Sequence, residues 1–324
     1  MIGLVRGSWT LAGALLMASI APAAGAQGVV ARADALLRAG SVFQAETLYY
    51  HAVRAEPRAA AARMALGRYV ASRGAFRVGA VLLEEARLFG GDRQLIAEHL
   101  APMYARLGDY RALATLPGTP LSGVERERAE WLADTEVEVL GPDSSIVPMS
   151  AASGTILGWI RMVVGNDTLV AAIDPGVTGL VLDTAMAHRR GVTTFPLAGN
   201  GDDKTGAIAV ALDVHFGGPE GIGRSAVPAT LRPLGGNRVA RVGLDVLERF
   251  APTFSPGNSE LVLRKHGRAP PPPPAADRIP ILLTPSGMSL VRDGLHAVAS
   301  EPGRGMLGAR WTLDVKRGEI VAER

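Results

Sequence analysis

Three glycines, Gly40, Gly74 and Gly108, recur at an interval of 34 residues inside a segment rich in Ala, Leu and Arg with helical apolar spacing. A fixed interval of that length means stacked helix pairs, because one pair alone cannot bury its apolar face. Other positions keep the register. Leu66-Gly67 opens one first helix, and Ala45, Tyr49, Ala52 and Pro57 supply the small, aromatic, small and terminating residues of the pair before it. Ala86 repeats Ala52 one interval later, and Tyr104 sits where a first helix turns an aromatic inward. Each glycine is expected to end its helix in the left-handed conformation, and the alanines to stand where paired helices cross closely.

The pattern changes after Leu116. A short charged helix is expected over Val124–Leu132, and from Val137 the apolar residues fall into short runs at Ile156–Val164, Thr168–Ile173, Ala207–Phe216 and Val239–Val242, broken by Gly, Asn, Asp and Pro. Gly165-Asn166-Asp167 predicts a hairpin between the first two runs. Asp183–Arg190 reads as a short helix closed by Gly191, and Gly201-Asp202-Asp203-Lys204-Thr205 as a hairpin tip that forms part of a flap over a cleft. Pro270–Pro274 is a stiff spacer. Beyond it, Ile279–Arg324 contains short strands again and reads as a degenerate second lobe left by duplication. In that alignment Thr284-Pro285-Ser286 lies against Asp174-Pro175-Gly176, and Gly318-Glu319-Ile320-Val321 echoes the stretch ending at Val262.

Composition excludes several classes of function. Hydrophobic residues at 48% and charged residues at 20% describe ordinary buried cores. The 34 Lys and Arg against 31 Asp and Glu are interleaved, as in Glu125-Arg126-Glu127-Arg128, so no basic face is laid out for nucleic acid. With no cysteine there is no disulfide framework, thiol nucleophile or lipid-bearing Cys. The six histidines lack paired-ligand spacing and no serine stands in a G-x-S-x-G turn, so neither a metal, a cofactor nor a serine-hydrolase site is expected. At the N-terminus, Arg6, the apolar stretch Trp9–Ile20 and Ala24-Gly25-Ala26 form the pattern of a secretory signal peptide, too short in its apolar part to span a bilayer stably. The chain then divides into 1–26, signal peptide; 27–135, helical repeats; 136–268, a β domain; 269–278, a Pro-rich linker; and 279–324, a β segment.

One carboxylate stands out within the β domain. The run Thr168–Ile173 delivers Asp174 to the turn Pro175-Gly176-Val177-Thr178, and a second glycine segment, Gly243-Leu244-Asp245-Val246-Leu247, precedes the strand Leu261-Val262-Leu263. With these segments, Val137–Lys265 resembles a retropepsin-like aspartic peptidase domain, and the helices before it resemble two to three degenerate tetratricopeptide repeats. The fold class implied is multidomain α plus β, a tetratricopeptide-like module followed by an all-β acid-protease-like domain. The resemblance further implies Asp174 as catalytic residue, with the Gly176 amide and the Thr178 hydroxyl supporting its carboxylate. Chemistry of this kind needs two carboxylates that share a proton. With a single such aspartate, a homodimer that places Asp174 of each chain on a two-fold axis follows. Pro175 departs from the family, which has Thr or Ser there, and removes both a hydroxyl and an N–H.

Two functions remain open. One is an exported aspartic endopeptidase acting on peptides or unfolded protein, periplasmic or secreted. The other is a non-catalytic periplasmic adaptor that binds a protein partner through its repeats and retains a protease-like domain for binding. For either, N-terminal sequencing of protein recovered from an exporting host should read from Gln27 or a neighbouring residue, and an intact Met1 in the membrane fraction would exclude the leader.

Overall fold

The computed structural model describes residues 25–150, 157–186, 191–195, 207–234, 240–265, 271, 276–284, 287–292, 295–297 and 310–323. Residues 1–24 of the expected leader, the hairpin tip at 201–205, and 270 and 272–274 of the spacer lie outside the described residues.

Helices come first: α1 (Ala26–Arg38), α2 (Val42–Ala55), α3 (Ala60–Ser72), α4 (Phe76–Leu88), α5 (Arg93–Leu107), α6 (Tyr110–Thr115) and α7 (Gly123–Ala133). Gly40, Gly74 and Gly108 follow α1, α3 and α5, each with positive φ (83°, 88° and 73°). The periodic glycines are therefore left-handed helix ends, a backbone state that costs other residues about 1–3 kcal/mol. Ala45, Ala52 and Ala86 are fully buried. Where α3 crosses α4, a Cβ on Gly79 would stand 2.8 Å from the Gly67 carbonyl oxygen, so that crossing depends on two glycines. Asp92 and Asp109 cap α5 and α6 by accepting from Leu95 N (3.0 Å) and Ala112 N (3.1 Å), and Ser122 with Glu125 forms a capping box on α7.

The strands follow as β1 (Val139–Leu140), β2 (Ser144–Ser150), β3 (Gly158–Val164), β4 (Asp167–Ile173), β5 (Leu180–Asp183), β6 (Val192–Phe195), β7 (Ala207–Phe216), β8 (Gly223–Arg232) and β9 (Ala240–Val242), then the turn of helix α8 (Leu244–Leu247). After it come β10 (Thr253–Ser255), β11 (Glu260–Arg264), β12 (Asp277–Thr284), β13 (Gly287–Arg292), β14 (Leu295–Ala297), β15 (Arg310–Asp314) and β16 (Glu319–Glu323). The order β3-β4-β9-β5-β8-β7 closes on itself through pairing of β3 with β7, which makes a barrel. Its interior is filled from alternate positions of these strands, among them Ile160, Met162, Ala171, Ile173, Leu180, Leu182, Ala209 and Val242. β2, β11, β10, β15, β16, β12, β13 and β14 extend the sheet from one side of the barrel.

Two local expectations are corrected. Asp183 ends β5, and Thr184–Met186 form a 3-10 turn where a helix over Asp183–Arg190 was expected to begin; 187–190 lie outside the described residues. Leu180, Val181 and Leu182 are buried between β8 and β9, and pairing of Asp183 with Arg232 draws that residue into the strand. Thr284 is not the counterpart of Asp174 either; it ends β12 opposite Gly287, in the hairpin to β13.

The helical layer is docked on the β unit. Arg106 of α5 is 2.7 Å from Glu248 just after α8, and its guanidinium lies 4.6 Å from the centre of the Phe76 ring. Arg73 donates to the carbonyls of Ile281 and Gly318. A Cβ on Gly74 would come within 2.1 Å of the Val315 carbonyl oxygen, so this glycine serves both its own helix end and the approach of the C-terminal strands.

Candidate functional site

Asp174 leaves the C-terminal end of β4 and turns at once. Its main-chain carbonyl accepts from Val177 N (3.3 Å) with Pro175 in the second turn position, where a fixed φ favours a turn of this kind. Proline needs no amide partner there, which explains its tolerance at the position where the resemblance leads one to expect Thr or Ser. The Asp174 amide donates to Val242 O at 3.0 Å, tying the turn to β9. The side chain is buried. Oδ1 accepts from Gly176 N at 2.9 Å, the contact that the resemblance implies. Oδ2 accepts from Nη1 of Arg241 at 2.9 Å.

Arg241 was not legible as a site residue. It lies on β9, beside Ala172 in the parallel pairing with β4 and beside Val181 in the antiparallel pairing with β5. About half of its side chain is exposed (51%), so water competes for its guanidinium, and pairs with so open a partner are commonly worth about 0–1 kcal/mol. Thr178 is not brought to the Asp174 carboxylate. It is exposed on the far arm of the loop and lines a cavity instead.

A second carboxylate anchors the loop from below. Gly179 N donates to both carboxylate oxygens of Asp245, at 3.0 and 2.9 Å, and Gly243 N donates to Gly179 O at 2.8 Å. These contacts require glycine at both places. A Cβ on Gly179, which has φ +66°, would stand 2.4 Å from the Pro228 carbonyl oxygen, and one on Gly243 2.4 Å from that of Val177. The Gly243-Leu244-Asp245 segment thus holds the turn that carries Asp174 without placing its own carboxylate on the Asp174 side chain.

Behind the loop, a cavity of about 160 Å³ separates α5, α6 and α7 from the barrel; Arg106, Arg128, Thr178, Arg224, Asp245 and Arg249 line it. Asp245 keeps an edge on this cavity and is otherwise enclosed by protein. Desolvation pushes its carboxyl above the usual range, against the opposing pull of Arg106 and of the Gly179 amide. Glu248 is raised for the same reason, with Arg106 pulling it down. Burial lowers the Arg224 guanidinium, and neighbouring Arg249 lowers it further. Among the described residues there is no cluster of three or more acidic or histidine side chains arranged to hold a metal ion, and no helix long and apolar enough to cross a membrane.

No protein-family model matches the chain, and no curated protein does. Among solved structures it is similar to the crystal structure of a retropepsin-like aspartic protease from Rickettsia conorii, at 19% identity over 40% of this chain and 92% of that one, with a TM-score of 0.27. At that score the likeness carries no argument by itself, and the functional reading stands on the geometry of this chain.

The raised Asp245 gives a pH test. Its folded-state pKa lies above that of the unfolded chain, so the native state holds more protons through the window that starts near pH 4 and runs up to the folded value. Its contribution is fully present below that window and is lost as pH rises through it. Asp245→Asn cannot titrate, so its melting temperature should fall less than that of the wild type between pH 4 and pH 7. Parallel curves would show that Asp245 is not held in the protonation state that its enclosure implies.

Proposed function

We propose that this protein is an exported aspartic endopeptidase in which Asp174 is a catalytic carboxylate. One observation carries the reading: a buried aspartate is held on a tight turn at the end of β4, fixed by the Gly176 amide at one oxygen and by β9 at its main chain. The reaction needs a second carboxylate across a two-fold, and the sequence implies Asp174 of a second copy. One carboxylate takes a proton from water as the oxygen attacks the scissile carbonyl, while its protonated partner gives a proton to the carbonyl oxygen. Collapse of the tetrahedral diol breaks the C–N bond, and the nitrogen takes a proton as it leaves. Arg241 must swing off Oδ2 before a water can stand there, and its exposure permits that. Peptide or unfolded polypeptide is the substrate class. The N-terminal module is tetratricopeptide-like in this reading and presents its outward helices to protein partners in the periplasm or outside the cell.

The second reading is a non-catalytic peptide-binding adaptor. Arg241 on the outer oxygen of Asp174 favours it, since an occupied carboxylate binds polar groups without activating water.

Incubation with an unfolded polypeptide at acidic to mildly acidic pH separates the two. The peptidase cleaves, and Asp174→Asn loses at least about 100-fold in rate with an unchanged melting curve, since the loss of a catalytic proton-transfer group alone is worth about 100- to 10,000-fold. Pro175→Thr restores a hydroxyl and an N–H and is expected to raise the rate. Cleavage that survives Asp174→Asn would sink the peptidase reading.

A further inference from the structure

The C-terminal strands repeat the sheet to which they are joined. β10 runs through a 3-10 turn at Pro256–Asn258 and a left-handed Ser259 (φ 55°) into β11. β15 runs through a 3-10 turn at Val315–Arg317 and a left-handed Gly318 (φ 63°) into β16. The match is residue for residue: Thr253 with Thr312, Ser259 with Gly318, Glu260 with Glu319, Val262 with Val321. The two hairpins meet along β10 and β15, and there Thr253 pairs with its own counterpart, Thr312. On one side Phe254 faces Trp311; on the other, Leu313 N donates to Pro252 O at 3.0 Å. In an antiparallel ladder, a residue that pairs with its own equivalent marks a local two-fold axis.

The relation continues outward from that axis. β11 pairs with β2 and β16 with β12, and Pro148 opposite Glu260 is matched by Pro280 opposite Glu319. Met149 N donates to Ser259 O at 2.8 Å, and Ile281 N donates to Gly318 O at 2.8 Å. β2 then pairs with β3 and β3 with β4, as β12 pairs with β13 and β13 with β14. The correspondence stops at β14. Residues 298–309, outside the described residues, are all that separates β14 from β15, too few to repeat β5 to β9.

We infer that the C-terminal strands occupy the place of a second copy of the chain: the protein completes its own two-fold at β10, and no Asp174–Asp174 pair is assembled across this edge. The seam is built for permanence. The Thr253 and Thr312 hydroxyls, both buried, lie 2.8 Å apart, and Arg264 donates to Thr253 Oγ1 at 2.8 Å. Phe254 and Trp311 stack with centroids 3.9 Å apart and an interplanar angle of 11°. The helical layer grips the same strands through Arg73 and Gly74. A second copy entering at β10 has to expel β15, which is tethered in the same chain at an effective concentration on the order of millimolar. The homodimer expected from the sequence therefore finds this edge of β10 already paired. What this means for catalysis rests on the peptidase reading, in which the second carboxylate then has to come from a residue other than a second Asp174; the seam itself does not.

Because the chain has no cysteine, the seam can be read directly. Facing residues of an antiparallel pair are within disulfide reach. A Thr253→Cys/Thr312→Cys variant is prepared as ¹⁴N and ¹⁵N chains, which are unfolded together, refolded and oxidised. The expected linked peptides carry one isotope only, ¹⁴N with ¹⁴N and ¹⁵N with ¹⁵N. Mixed-isotope links at half of the total, the statistical share for exchange between chains, would overturn the inference, as would no link at all in a chain that folds. Should the double variant not fold, the unmodified chain is tested with a tenfold excess of Asp174→Asn. A roughly tenfold fall in cleavage by the wild-type fraction, the statistical result for an Asp174–Asp174 dimer, overturns the inference, and an undiminished rate supports it. A single-isotope link in a protein that never cleaves leaves the seam standing and removes the peptidase reading; cleavage with mixed links does the reverse.

Discussion

The insertion of β9 between β4 and β5 is the constraint from which the rest follows. Val242 ends that strand: paired with Ile173 of the parallel strand and with Leu180 of the antiparallel one, it also accepts the Asp174 amide. A strand that bridges two others in opposite senses brings the turn after β4 and the turn before α8 side by side. Once they meet, Gly243, Gly179 and Asp245 lock, because main chain packs against main chain where a side chain would intrude. The position of the Asp174 carboxylate is thus set by backbone geometry, with a single polar side chain, Asp245, below it.

The second dependence is on the helices. Arg106 reaches Glu248 beside α8, Arg128 donates to the Ala229 carbonyl of β8 at 3.2 Å, and Arg249 returns to the Arg106 carbonyl at 3.2 Å. Guanidinium groups suit this boundary because each satisfies several acceptors at once where water is scarce. The helical layer therefore forms the rear wall of the loop that carries Asp174. One face of the module is spent on that contact.

Local features were legible in the sequence, and long-range ones were not. Gly165-Asn166 between two apolar runs gave the β3–β4 hairpin, Ala207–Phe216 gave β7 to the residue, and the spaced glycines marked three helix ends, because each reports a nearest-neighbour backbone state. Gly176 at Asp174 was implied by the resemblance, and the contact is local, between residues two apart in one turn. Arg241 and the anchoring part of Asp245 come from a parallel pairing across more than sixty residues of chain, which no local period encodes. Thr178 was misplaced because its direction depends on how Gly179 is held, not on its own spacing. The alignment of Thr284 failed because short apolar strands resemble one another, and pairing register alone shows that β12 repeats β2.

The most direct test is amide hydrogen exchange at the lock between the two loops. The amides of Asp174, Gly179 and Gly243 donate respectively to Val242 O, the Asp245 carboxylate and Gly179 O, so they should exchange only when the barrel unfolds, at rates matching the buried strand residue Leu182. Exchange at the pace of an open surface loop would contradict the account, because Asp174 would then sit on a segment that nothing holds.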